Sequence, residues 1–208
     1  MLFRSRIAHR IVPEGESLEP CRRRLEELAA GGAPYVLGYV PDNDGDRGNI
    51  VYYDNREGRA KSLEAQEVFA LALLAETGYL ALTGSGGGRT AVVVNGPTSM
   101  CIDRIAAAYG VRTARAEVGE ANAVYLARKL RREGYTVRIL GEGSNGGTII
   151  HPSAVRDPLS TIFALLKLLL HDTSRPGGGI LADWLSRSGR PGETAESGPG
   201  DVPTMAEI

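Results

Sequence analysis

Residues 91–140 read AVVVNGPTSMCIDRIAAAYGVRTARAEVGEANAVYLARKLRREGYTVRIL, and their apolar pattern alternates between two periods. Short runs that predict strands are found at residues 91–94, 113–118 and 136–140, and the first of them is entirely apolar. Between these runs, apolar residues at helical spacing predict amphipathic helices over residues 100–109 and 121–132. This alternation predicts an α/β fold with a mixed, mostly parallel sheet and helices on both faces.

The alternation continues on both sides of this stretch. Upstream, strands are predicted at residues 35–40 and 49–53, and a return strand is predicted after Gly58. Two helices are predicted there as well, one with Ser17 as its N-cap and one that begins at the N-cap Ser62 and ends at Gly78. Downstream, a strand is predicted at residues 148–150 and a buried helix at residues 158–170. Beyond Thr173 the chain is rich in Gly, Pro and Ser, with one short amphipathic piece at residues 180–185.

Composition and charge narrow the class of protein. Of the 208 residues 42% are hydrophobic and 24% are charged, and the formal net charge is −1. This balance predicts a globular protein with no field that attracts nucleic acid or an anionic membrane. The most apolar stretch, residues 162–170, is too short to span a bilayer, so we expect no membrane partner. Cys21 and Cys101 lie on apolar helical stripes without a CxxC spacing, which predicts buried free thiols and a cytoplasmic location.

An acidic loop, Asp42-Asn43-Asp44-Gly45-Asp46-Arg47, follows the first predicted strand. Carboxylates at every second position of a tight loop can point inward together, and they repel one another unless a cation neutralises them. Oxygen ligands of this kind suit Mg²⁺ or Ca²⁺ rather than zinc. The pattern therefore predicts a metal site made by Asp42, Asp44 and Asp46.

Two known acidic loops can be compared with this one. An EF-hand has Gly at its sixth position and Glu at its twelfth, where this loop has Arg47 and Tyr53, and strands rather than helices flank it. A phosphatase of the haloacid-dehalogenase type has Asp-x-Asp after a strand, often followed by Gly-Thr, and Asp46 stands in the place of that Thr. The first alternative is excluded, whereas the second, with Asp42 as nucleophile, stays open.

A second polar loop, Gly141-Glu142-Gly143-Ser144-Asn145-Gly146-Gly147, precedes the strand predicted at residues 148–150. Its glycines let the backbone approach a ligand closely. Glu142 and Ser144 are alternate residues, so their side chains can face the same way and bind adjacent hydroxyls of a sugar. A phosphate loop fits less well, because Glu142 would repel the anion and no Lys follows the glycines.

Together the two loops resemble those of the α-D-phosphohexomutase family, the phosphoglucomutases and phosphomannomutases. In that family a metal loop Asp-x-Asp-Gly-Asp-Arg precedes a sugar loop Gly-Glu-x-Ser-Gly by the interval that separates Asp42 from Glu142 here. Shorter stretches that resemble the family are Ile11-Val12-Pro13-Glu14-Gly15, Glu117-Val118-Gly119-Glu120 and Arg156-Asp157. The sequence departs from the family pattern at Asn145, and Gly146-Gly147 replace a His that is often found nearby.

The resemblance implies three parts of the chain: residues 1–60, the C-terminal half of the family's domain two with the metal loop; residues 61–175, its domain three with the sugar loop; and residues 176–208, a tail leading toward domain four. It implies Mg²⁺ as the metal, Arg47 as a catalytic residue on a phosphate group, and a hexose phosphate bound by Glu142, Ser144, Gly119 and Glu120. The implied reaction moves a phosphoryl group between positions 1 and 6 of a glucose or mannose phosphate through a phosphoserine. No counterpart of the phosphoserine loop precedes Asp42, so we expect a fragment that is inactive by itself.

Two alternatives stay open beside the mutase. The chain could be a non-catalytic module that binds Mg²⁺ or a sugar phosphate, or a phosphatase of the haloacid-dehalogenase type. Only the phosphatase would release inorganic phosphate from a generic aryl phosphate. The two loops do not distinguish glucose from mannose substrates, and they do not indicate an oligomeric state.

Overall fold

The computed structural model of the protein describes residues 13–33, 37–86, 88–145, 147–170 and 178–188. Its strands are β1 (Leu37–Pro41), β2 (Gly48–Asp54), β3 (Arg59–Ser62), β4 (Thr90–Asn95), β5 (Arg112–Ala116), β6 (Thr136–Glu142) and β7 (Gly147–Ile150). Its helices are α1 (Glu19–Ala30), α2 (Ala65–Thr83), α3 (Cys101–Ala108), α4 (Glu120–Arg132), α5 (Pro158–Leu170) and α6 (Ile180–Ser188). Every strand and helix predicted within the described residues is present, although several boundaries differ.

Four strands form one sheet in the order β5-β4-β6-β7. Strand β4 pairs in parallel with both β5 and β6, and β7 is antiparallel to β6. Along β4, Val92 and Val94 belong to a core with α2, α3 and α5, whereas Ala91 and Val93 belong to a core with α4. Alternate residues of a strand point to opposite faces, so helices cover both faces of this sheet. The predicted α/β class with a mostly parallel sheet is confirmed.

The described residues before α2 form a separate antiparallel sheet in the order β1-β2-β3. Helix α1 packs on this sheet, and Leu25 shares a small core with Val51 and Ala60. Residues 35 and 36, at the start of the first predicted strand, lie outside the described residues. The β1–β2 hairpin matters for function because the acidic loop is its turn.

Helix α2 is the central helix of the fold, and its residues 68–78 are buried without interruption. By length and composition it could cross a bilayer, yet half of its apolar window is buried inside the protein, as in a core helix. Glu76 is only 1% exposed, and it forms ion pairs with Arg138, whose Nε lies 2.6 Å away, and with Lys167. These pairs join α2 to β6 and α5.

The predicted end of this helix at Gly78 is wrong. The helix continues to Thr83, and Gly84 caps it in a left-handed conformation with φ of 66°. A Cβ atom on Gly78 would lie 2.4 Å from Cγ2 of Ile180. Glycine at this position therefore allows α6 to pack closely on α2, and it does not break the helix.

The predicted N-caps Ser17 and Ser62 are also wrong. Ser17 belongs to a 3₁₀ turn over Gly15–Leu18, and its hydroxyl donates to the carbonyl of Glu14 at 2.7 Å. Ser62 is the last residue of β3, and Glu64 caps α2 instead. Serine stabilises turns as well as helix starts through the same local hydrogen bonds, so its position alone does not separate the two.

The two cysteines are free thiols, as predicted, but neither is fully buried. Cys21 is half-buried beside Gly38 of β1, and burial raises its pKa. Cys101 begins α3 and is exposed. Its exposure follows from its position in the first turn of the helix, beyond the stripe formed by Ile102 and Ile105.

Candidate functional site

The acidic loop closes the β1–β2 hairpin, whose ladder ends with Pro41 opposite Gly48. The backbone N–H of Asp42 donates to the carbonyl of Arg47 at 2.9 Å, which continues the hairpin into the loop. Gly45 has φ of 73°, a left-handed conformation that glycine adopts without strain. The loop thus turns sharply and brings its alternate Asp residues to one side.

Carboxylate oxygens of Asp42, Asp44 and Asp46 lie within 4.8 Å of one another. Asp42 is buried, Asp46 is half-buried and Asp44 is exposed. Both oxygens of Asp42 accept hydrogen bonds from Arg47, Oδ1 from the backbone N–H at 3.1 Å and Oδ2 from Nε at 2.8 Å. The structure therefore brings together the three predicted metal ligands and the predicted catalytic Arg47.

The surroundings shift the pKa values of two of these carboxyls in opposite directions. Burial acts to raise the pKa of Asp42, but hydrogen bonds from Arg47 and its positive charge outweigh this effect and lower it. Burial raises the pKa of Asp46, Asp44 and Asp42 raise it further, and Arg156 opposes the increase. A carboxylate that has lost water and faces two others is stabilised by a nearby cation.

The donors of this loop fit a hard divalent cation. Oδ1 of Asp46 is buried and accepts no hydrogen bond, although Nε of Arg47 lies 3.4 Å from it. Within the described residues the cluster contains carboxylates only, without His or Cys. Oxygen-only donors are the set that Mg²⁺ and Ca²⁺ prefer, so the loop has suitable chemistry for the predicted metal.

Arg156 joins the acidic loop to the part of the protein that contains the four-stranded sheet. It lies between β7 and α5, and its terminal NH2 nitrogen is 2.9 Å from Oδ2 of Asp46. Its Nε is 2.9 Å from Oε2 of Glu120, the first residue of α4, and this ion pair does not have the geometry of a hydrogen bond. One guanidinium thus contacts a predicted metal ligand and a predicted substrate-binding residue.

Glu142 ends β6, at the edge of the sheet where the parallel strands β4 and β5 also end. It is 7% exposed, and its Oε1 accepts hydrogen bonds from Nδ2 of Asn95 at 3.0 Å and from the backbone N–H of Gly119 at 2.9 Å. Residues far apart in sequence meet here because parallel strands end at a common edge, which is where such sheets bind ligands. Glu142, Gly119 and the neighbouring Glu120 are therefore close together.

Ser144 does not share the surroundings of Glu142, contrary to the expectation that the two side chains face the same way. After Glu142 the chain enters a 3₁₀ turn over Gly143–Asn145, so the alternation of a strand is lost. Ser144 is exposed and lines a cavity of about 370 Å³ together with Arg22, Asn49 and Gln66. This cavity lies between the start of α2 and the N-terminal part of the chain, which contains α1 and the antiparallel sheet.

Two further residues stabilise this edge of the sheet, Asn95 and Thr98, and neither is among the site residues predicted from the sequence. Asn95 ends β4, and its Oδ1 accepts a hydrogen bond from the hydroxyl of Thr98. The same hydroxyl oxygen accepts from the backbone N–H of Gly143 at 3.1 Å. A signal was present in the sequence, because the turn Asn95-Gly96-Pro97-Thr98 directly follows a predicted strand.

A family model described as phosphoglucomutase/phosphomannomutase, alpha/beta/alpha domain III, matches residues 69–185. This match contains Gly119, Glu120, Glu142, Ser144 and Arg156, and it begins after the acidic loop. No curated protein matches the chain.

Solved structures with a similar fold include two proteins of this kind. The Paramecium phosphoprotein parafusin, a phosphoglucomutase solved in an open form, aligns with a TM-score of 0.55 and 20% identity over 84% of this chain and 29% of its own. A phosphoglucomutase/phosphomannomutase family protein from Burkholderia thailandensis aligns with a TM-score of 0.51 and 19% identity over 84% of this chain and 32% of its own. At these identities the likeness concerns the fold, and the chain spans 29% to 32% of the two proteins.

Proposed function

The chain belongs to the phosphoglucomutase/phosphomannomutase family, and we propose that it supplies the metal-binding and sugar-binding parts of a phosphohexomutase. Members of this family are phosphohexomutases, which are isomerases. The main support for the proposal is a series of contacts that connects the acidic loop to the sugar loop. Asp46 of the acidic loop reaches Glu120 through Arg156, and Gly119, next to Glu120, donates to Glu142 of the sugar loop.

In the proposed reaction a phosphoryl group moves between positions 1 and 6 of a hexose phosphate by way of a phosphoserine. Asp42, Asp44 and Asp46 would hold Mg²⁺, which neutralises negative charge on a transferring phosphoryl group when it is bound. The side chain of Arg47 is 41% exposed while its Nε holds Asp42. Its outer edge is therefore accessible to a phosphate, which a guanidinium binds through two parallel hydrogen bonds.

Glu142 would accept hydrogen bonds from the hydroxyls of the hexose. Oε1 of this carboxylate is fixed by Asn95 and Gly119, so the group is oriented before a ligand arrives. Glu120 and Gly119 lie beside it, at the start of α4. Ser144 lies on the accessible side of the same loop, where it would contact the sugar from another direction than Glu142.

The phosphatase alternative is less well supported. It requires Asp42 to attack a phosphorus atom, yet Asp42 is buried and both of its oxygens accept hydrogen bonds from Arg47. A carboxylate held in this way is stabilised as an anion and is a weaker nucleophile. Metal binding by Asp42 remains possible, because each carboxylate oxygen keeps a second lone pair and the anion is the form that binds a cation.

Calorimetric titration of the chain with Mg²⁺ and with glucose 1-phosphate tests the proposal. We expect both ligands to bind, and a parallel titration with mannose 1-phosphate compares the two candidate sugars. Binding of neither ligand would contradict the proposal. Hydrolysis of p-nitrophenyl phosphate that disappears in the Asp42→Asn variant would favour the phosphatase instead.

A further inference from the structure

Arg156 is placed to act on the metal site without being one of its ligands. Its side chain is 20% exposed and lies between two carboxylates from different units, Asp46 of the β1–β2 hairpin and Glu120 of α4. The two carboxylates are 74 positions apart in the chain, as their numbers show. The contact is therefore a tertiary link between the two units.

The link to Asp46 is made through one oxygen only. Oδ2 faces the Arg156 guanidinium at 2.9 Å, whereas Oδ1 is buried and accepts no hydrogen bond. An ion pair to one oxygen restricts the rotation of a carboxylate, and this limits the positions that its second oxygen can take. This is the arrangement expected when a neighbouring side chain orients a metal ligand.

We propose that Arg156 is a positioning residue that orients Asp46 for Mg²⁺ and links the metal loop to the sugar-binding edge of the sheet through Glu120. This inference rests on the proposed function, because it requires a metal on the acidic loop. The second half of the link is short. Glu120 directly follows Gly119, and the N–H of Gly119 donates to Glu142 at 2.9 Å.

Two roles of Arg156 predict opposite effects on the metal. If Arg156 acted only as a nearby positive charge, it would repel Mg²⁺, and its removal would tighten metal binding. If it orients Asp46, its removal weakens binding, because loss of an outer-shell partner typically lowers metal affinity by roughly 10- to 100-fold. The sign of the change in affinity therefore separates the two roles.

The experiment is a calorimetric Mg²⁺ titration of the unchanged chain and of the variants Arg156→Gln, Arg156→Lys and Arg128→Gln. Arg128 is exposed on α4, so its substitution makes the same change in net charge away from the site. We expect Arg156→Gln to bind Mg²⁺ roughly tenfold more weakly, and Arg156→Lys, which reaches one carboxylate at a time, to recover part of the loss. Arg128→Gln should bind as the unchanged chain does, and circular dichroism checks that each variant is folded.

Hydrogen exchange provides a readout of the link itself. Added Mg²⁺ should slow amide exchange at residues 119–123 of the unchanged chain, and this response should be absent in Arg156→Gln. Tighter or unchanged Mg²⁺ binding by a folded Arg156→Gln variant would remove the positioning role and leave the metal site in place. If the unchanged chain binds no Mg²⁺, the metal part of the proposed function fails, and the role of Arg156 fails with it.

Discussion

The carboxylates of the site differ in what holds them. Asp42 and Glu142 are buried and accept hydrogen bonds, Asp42 from Arg47 and Glu142 from Asn95 and Gly119. Asp44 is exposed and lies beside two other acids. Removal of a held carboxylate and removal of a repelled one should therefore have opposite effects on stability.

Glu142→Ala should both destabilise the fold and weaken sugar-phosphate binding. The substitution leaves the amide of Asn95 and the N–H of Gly119 without their acceptor, which costs about 1–3 kcal/mol in the free energy of unfolding. Ser144→Ala, at an exposed position, should change that free energy by no more than about 0.5 kcal/mol. Urea denaturation measures both effects, and glucose 1-phosphate titration should show weaker binding for both variants with unchanged Mg²⁺ affinity. A stable Glu142→Ala variant would show that its hydrogen bonds contribute little.

Asp44→Ala should stabilise the metal-free chain and weaken its response to Mg²⁺. Without Asp44, two carboxylates remain where three lay within 4.8 Å, and the relief of repulsion is worth up to about 1 kcal/mol. Ligand binding to the folded state raises the melting temperature, so added Mg²⁺ should stabilise the unchanged chain more than this variant. Thermal unfolding with and without Mg²⁺ checks both effects, with Glu16→Ala as an exposed acidic control. Equal stabilisation of the two chains by Mg²⁺ would exclude Asp44 as a ligand.

At the scale of elements, the packing of two helices against each other determines which residue is tolerated at a given position. Gly78 in the middle of α2 lowers helix propensity, yet it provides the space that Ile180 of α6 occupies. The sequence pattern predicts a helix end at this glycine, because the periodicity of apolar residues describes each helix by itself. The sequence of one helix does not show which residue of another helix packs against it.

Gly78→Ala should destabilise the otherwise unchanged chain, but it should stabilise a chain in which Ile180 is truncated to Ala. The new Cβ would lie 2.4 Å from Cγ2 of Ile180, and overpacking of this kind costs about 1–3 kcal/mol. In an Ile180→Ala background the clash is gone, and the gain in helix propensity of about 1 kcal/mol should remain. Urea denaturation of the four chains of this cycle measures the reversal of sign. The same sign in both backgrounds would show that Gly78 is not required for packing.

At the scale of the whole molecule, Glu76 joins three elements of the core. It lies in α2 and contacts Arg138 of β6 and Lys167 of α5, whose side chains are 33% and 27% exposed. Glu76→Gln should lower the free energy of unfolding by about 3 kcal/mol, the lower end of the cost of breaking a buried ion pair, because both cations can still reach water. Far-ultraviolet circular dichroism and the fluorescence of Trp184, the only tryptophan, should lose their signals together in urea. Separate transitions would indicate that the two sheets unfold independently.

The succession of strands and helices along the chain could be predicted from periodicity and turn residues, and so could the position of the acidic loop at a strand end. Asp42, Asp44 and Asp46 could be grouped from sequence because they are neighbours in the chain. The roles of Asn95, Thr98 and Arg156 could not, because their partners come from other strands and helices. The difference between Glu142 and Ser144 depends on a 3₁₀ turn that the glycine-rich loop does not reveal.

The antiparallel sheet has a consequence for the route of folding. Its strands β1, β2 and β3 are consecutive in the chain, so their contacts close short loops, whereas β4 pairs with β6 only after α3, β5 and α4 have been synthesised and folded back. Local contacts form faster than distant ones because less chain entropy is lost before they are made. We therefore expect the hairpin that carries the acidic loop to form early. The ion pair between Asp46 and Arg156 then completes the site only when the last strand of the larger sheet is in place.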